Sequence, residues 1–237
     1  MNEISRYTSV EDYMKPVYTV EDIRSFRVWV KGLLDIYEKS VTLKTIGGVI
    51  GIDGALSAIG KKLESNEKER LSVLVNELEQ KIESMDKNKL DYNFINSDEF
   101  IEIIFKVYNY TKREYRHDKI KYFANILINY STIEFSNDFY KEGIIEKISK
   151  YSIEHILVLE KIYQGYYQKL KKEAKEKTFN YRDIHIESIS DEIRDICIYT
   201  LNSDGFIKEI TGAYGGGSYS ITTFGIRCIE LITNKYR

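Results

Sequence analysis

The chain has 237 residues, with 35 Lys plus Arg against 37 Asp plus Glu, a formal charge of −2 and 43% hydrophobic residues. That balance excludes a wholly disordered chain, a collagen-like repeat and a strongly basic nucleic-acid arm. A single proline, Pro16, among abundant Ile, Leu, Lys and Glu predicts a mainly α protein.

Residues 1–15 are polar and lack the charged-then-apolar order of a signal peptide, so secretion by that route is not expected. The only two cysteines, Cys197 and Cys228, have no metal-type spacing and set up no disulfide framework. A cytoplasmic, reducing location is the simple expectation.

The first predicted helix covers residues 20–40, with Phe26, Val28, Trp29, Leu33, Leu34 and Tyr37 near helical spacing. Segment 45–60, TIGGVIGIDGALSAIG, is unlike the rest, with five glycines and one charge, Asp53. Gly47, Gly51 and Ala55 fall four apart, as do Gly54 and Ala58, a spacing that lets helix backbones approach closely. A helix of this length reaches about 24 Å, short of a hydrocarbon core of about 30 Å. One reading is a glycine-rich buried element. The other is an oligomerising or membrane-active helix with Asp53 facing water. A phosphate loop is rejected, because Gly60-Lys61 is followed by Lys62 where a hydroxyl must ligate magnesium.

A helix over 61–85 carries Leu71, Leu74, Leu78, Ile82 and Met85 on one stripe. After a polar break, Asn96 or Ser97 caps the next helix, whose core face is Phe100, Ile103, Ile104, Val107, Tyr108 and Thr111. A helix after His117 presents Ile120, Phe123, Ala124, Leu127 and Tyr130, and the two are expected to pair as an antiparallel hairpin. Residues 131–143 read as a connection and 144–148 as a short helix. The predicted regions are therefore 1–95, helical with the apolar segment 45–60; 96–150, the helical hairpin region; and 151–237.

In the last region Ser152 opens a long helix to about residue 177, with Ile156, Leu159, Ile162, Tyr163, Tyr166 and Leu170 as its stripe. Residues 181–186 alternate and predict a short strand. Ser190 caps a helix over 191–202, with Ile193, Ile196, Cys197 and Leu201 expected inward, and Asp204-Gly205 ends it. Strands over 206–211 and 218–222 flank the hairpin tip GAYGGGS, and Thr223 opens a final helix.

The order helix, short element, helix, β-hairpin, helix, with the run Leu201, Asp204-Gly205-Phe206-Ile207, hairpin, Ser220-Ile221-Thr222-Thr223-Phe224-Gly225, resembles the "Leu … Asp-Gly-Leu-Ile … hairpin … Leu-Thr-x-Gly" phrase of bacterial winged-helix proteins. The resemblance covers residues 151–237. It implies a helical N-terminal region joined to a C-terminal winged-helix-like module with one β-hairpin. The whole resembles uncharacterised bacterial and prophage helical proteins, which implies a setting in antiviral defence or prophage biology. Abundant Tyr, Asn, Ile and Lys fit the AT-rich drift of bacterial or phage genomes.

Winged helices commonly bind DNA, but the charges argue otherwise. Residues 181–203 hold five acids and two bases, net −3, and Arg194 is the sole base of helix 191–202. Phosphate contacts need cations or donors, so this helix is repelled by a polyanion. Asp191, Glu192 and Asp195, with Tyr214 and Gly216 of the hairpin tip, are instead the expected protein-contact residues. Gly47, Gly51, Asp53, Gly54 and Ala58 are the expected oligomerisation or membrane residues.

No catalytic set stands out. His117-Asp118 reads as a surface pair, His155 as packed or capping, and Glu99 and Glu102 as solvated. The expectation is a non-enzymatic interaction or assembly protein that needs no cofactor or metal and either binds a protein partner or self-associates. A DNA-binding regulator and a membrane-active protein are the alternatives.

Overall fold

Asp91, Ser97, Ser190 and Thr222 each start a helix by accepting a backbone N–H that has no helical partner. The computed structural model describes residues 30–34, 65–172, 178–210 and 217–233. The chain divides into two units, Met1–Phe139 and Tyr140–Arg237. The described residues are mainly α-helical, with one small three-stranded antiparallel sheet. Most of the 20–40 helix, the whole of segment 45–60 (Gly47, Gly51, Asp53, Gly54 and Ala58 included) and hairpin-tip residues Tyr214 and Gly216 lie outside them.

In the first unit, α1 (Ser65–Ser84) buries Leu71, Leu74, Val75, Leu78 and Ile82, at the helical spacing its sequence predicts. A single turn, α2 (Tyr92–Ile95), is capped by Asp91, whose carboxylate accepts from Phe94 N–H at 3.1 Å. At α3 (Asp98–Arg113) Ser97 accepts from Phe100 N–H and donates to the Phe94 carbonyl. Three residues then lead to α4 (His117–Tyr130).

Helix α1 packs on both α3 and α4, which also touch each other. The expected faces of α3 and α4 are all buried, and Ile101 and Phe105 join them. The arc widens because α2 adds a third neighbour to α3, with Phe94 edge-on to Phe100 at 5.4 Å. Beneath the α3–α4 link, Lys119 Nζ meets Glu114 at 2.9 Å, a buried pair in which each charge offsets the other's desolvation.

The second unit opens with α5 (Lys141–Lys150), longer than the five residues predicted, and α6 (Ile153–Lys171). Strand β1 (Phe179–Asn180) precedes a 3₁₀ turn at Tyr181–Asp183. The predicted strand at 181–186 is therefore displaced: pairing stops where the chain coils into that turn, and the strand sits where Phe179 can stack on Tyr219. Then come α7 (Asp191–Ser203), β2 (Ile207–Ile210), β3 (Ser218–Ile221) and α8 (Thr223–Ile232).

The sheet order is β1-β3-β2, with Phe179 opposite Tyr219 and Ile207 opposite Ile221. The second unit thus runs helix, helix, short strand, helix, β-hairpin, helix, and the pairing of β1 with β3 adds a third strand to the expected hairpin. Helix α6 packs on α7 and α8, and α7 lies beside β2.

The Asp-Gly-Phe-Ile run has a separate task for each residue. Asp204 accepts from Lys147 Nζ and, at 2.6 Å, from Tyr151 OH. Gly205 has φ +81°, a left-handed turn that costs a residue with a Cβ roughly 1–2 kcal/mol. Phe206 is fully buried, 4.4 Å from the Phe224 ring and 5.4 Å from that of Tyr151. Ile207 starts the strand. Thr222 closes the lock: its N–H donates to the Phe206 carbonyl, and its hydroxyl lies 2.7 Å from the Gly205 carbonyl while accepting from Gly225 N–H.

Candidate functional site on helix α7

Helix α7 begins at Ser190, whose hydroxyl accepts from Ile193 N–H. Its buried stripe is Arg194, Cys197, Ile198 and Leu201, at spacings of three, one and three that keep one face against α6 and β2. Leu201 is fully covered.

This corrects the expected inward set. Ile193 and Ile196 face solvent, 43% and 57% exposed, and Tyr199 is 75% exposed. At 100° per residue they lie roughly 90°, 150° and 150° from the centre of the buried stripe. The outward ridge is Glu192, Ile196, Tyr199 and Ser203, at intervals of four, three and four residues. Ile193 and Thr200 flank it on one side and Asp195 on the other.

Asp191, Glu192 and Asp195 are exposed, as expected. The surprise is Arg194, only 8% exposed. Its Nη1 pairs with Asp191 at 2.7 Å and its Nη2 with Asp195 at 2.8 Å. The one cation of the helix is drawn down to its own carboxylates and is not presented outward. Sequence spacing gave no sign of this, since a lone arginine among acids reads as one more surface charge. The acids at the first turn also favour the helix through its dipole.

The edge of the sheet beside α7 is partly closed. Glu209 N–H, on β2, donates to Asn202 Oδ1 at 3.1 Å. At the root of the hairpin an open cleft of about 700 Å³ is lined by Lys208, Glu209, Ile210, Ser220, Ile221, Thr222 and Thr223, mixing hydroxyl, charged and aliphatic groups.

The titratable groups weighed from the sequence are dispersed. His117 Nε2 faces Glu69 at 3.7 Å while Asp118 faces Lys121, so the neighbours do not act as a pair. Glu99 and Glu102 are exposed. His155 stacks on Tyr151, and its Nδ1 lies 2.9 Å from Ser152 Oγ. That serine–histidine contact spans the first turn of α6, where it fastens the ring against Tyr151. Burial, and secondarily the Glu154 charge, pushes the Cys197 thiol up to about 11, and burial raises Cys228 further. Both are buried and free, and neither is a ready nucleophile.

Among the described residues no three His, Cys, Asp or Glu side chains group as a metal site, and no helix is long and apolar enough to cross a membrane. No family model, curated protein or solved structure matches the chain.

Proposed function

We propose that the protein is a non-enzymatic interaction protein that docks a protein partner on the outward face of α7. The observation that carries the reading is the composition of that face: Ile193, Ile196 and Tyr199 exposed among carboxylates, with the only arginine buried. Large aliphatic and tyrosine side chains at a surface are what protein interfaces use, because they exclude water at low cost in side-chain entropy. In a winged-helix arrangement this helix takes the groove-facing position, and a reader of DNA needs cations there. Two buried free thiols suit a reducing cytoplasm as the place of action.

The test is a photo-cross-linking residue in place of Tyr199 in the full chain, made in the cells that produce it. A discrete protein adduct is expected, and Ile196→Asp removes it while leaving the circular dichroism unchanged. Absence of any adduct, together with retardation of duplex DNA at low salt, overturns the reading.

A further inference from the structure

We infer that the element seated on α7 is an amphipathic helix whose apolar stripe is bordered by Lys or Arg, an inference that rests on α7 being a protein-docking face. Three features of the molecule select this partner.

The first is shape. Ile193, Ile196 and Tyr199 recur every three residues along a convex helix, the spacing that interlocks with a second helix by ridges and grooves. From Ile193 to Tyr199 the stripe runs about 9 Å, so about two turns of a partner cover it.

The second is the backbone. A partner arriving as an extended strand needs free sheet-edge donors. On the strand next to α7, the Glu209 N–H is already held by Asn202 Oδ1 at 3.1 Å. Strand addition there would have to displace Asn202, whereas docking on the α7 side chains leaves that bond in place.

The third is charge. Asp191, Glu192 and Asp195 sit on the first two turns, and the Arg194 guanidinium is turned back among them. The face is acidic at its N-terminal end and apolar beyond it. A cationic border on the partner is complementary, and an acidic border is repelled. A second copy docking through the same face in parallel would set carboxylates against carboxylates.

The full-length protein is titrated, by fluorescence anisotropy, with a labelled Leu/Lys amphipathic helical peptide about four turns long. A scrambled isomer of the same composition and a Leu/Glu peptide of the same pattern serve as comparisons. Saturable binding of the Leu/Lys helix in the micromolar range is expected, in keeping with so small a contact. The scramble, Ile196→Asp and Glu192→Lys should each weaken it by about tenfold or more, a loss of about 1.4 kcal/mol. Circular dichroism confirms that each variant folds, which its exposed position allows.

Binding of the Leu/Glu helix at equal strength overturns the inference. So does Leu/Lys binding that Ile196→Asp leaves untouched, since that is mere adsorption to carboxylates. If no peptide binds but the adduct at Tyr199 persists, the partner chemistry is wrong and the docking face stands. If the adduct is a second copy of the chain, the occupant is the protein itself and the cationic partner is discarded. Loss of both signals removes the docking face as well.

Discussion

At Gly225 a single methyl group would collide with backbone. A Cβ there would lie 2.2 Å from the Phe206 carbonyl oxygen and 2.9 Å from Ile221 Cγ1. The closeness follows from Thr222, whose hydrogen bonds draw the start of α8 onto the Gly205-Phe206 turn. Gly225→Ala is therefore expected to cost about 1–3 kcal/mol, seen as a fall of several degrees in Tm. Asp204 is constrained through charge. Burial raises its pKa, but hydrogen bonds from Lys147 and Tyr151 and the charges of Lys147 and Lys150 outweigh that and hold it below the ordinary 3.8. A carboxylate with a lowered folded-state pKa adds stability above the unfolded value and loses it as pH falls through the folded one. Asp204→Asn should then be less stable than the parent near neutral pH, and the gap should close as acid is added below pH 3.8. Urea midpoints across an acid series measure this, and a gap independent of pH would contradict the Lys147–Asp204 pairing.

Helix α6 is long and carries Gly165 in its middle, where an added Cβ would meet nothing within 4 Å. Glycine inside a helix costs about 0.5–1 kcal/mol relative to alanine. Gly165→Ala is expected to raise the unfolding midpoint by a corresponding amount, checked by thermal melts. Helices were the part of the molecule most legible in the sequence. Ser97, Ser190 and the Asp204-Gly205 stop fell where the capping rules put them, and the α3 and α4 core residues followed from spacing. The orientation of α7 was not legible. Ile193, Ile196, Cys197, Ile198 and Leu201 surround most of the helix, so periodicity allows two faces, and only the neighbours α6 and β2 choose between them. The buried arginine chose against hydrophobic intuition, since its stem can pack while its head is satisfied by local carboxylates. The exposure of Asp191, Glu192 and Asp195 is legible from their charge, whereas the outward turn of Ile193 and Ile196 is not. Strand β1 was misplaced because a two-residue strand has too little alternation to register; its stacking across to Tyr219 is a tertiary fact.

For the whole molecule, the balance of 35 basic and 37 acidic residues gives no net attraction to a polyanion. The full-length protein is expected to pass through a heparin column near neutral pH at low ionic strength. Firm retention eluted only by high salt would show that lysines distant in sequence form a cationic strip and would revive the nucleic-acid reading. A different consequence follows from the contact between Lys147 and Asp204, which are 57 residues apart. At about 5–20 residues per second, a ribosome makes the aspartate roughly 3–11 s after the lysine. Through that interval Lys147 and Tyr151 wait without Asp204, and the Tyr151 ring without Phe206, whose ring later lies 5.4 Å away. Slow translation between α6 and α7 is expected to lengthen that wait, and a pause placed there should lower the yield of folded protein.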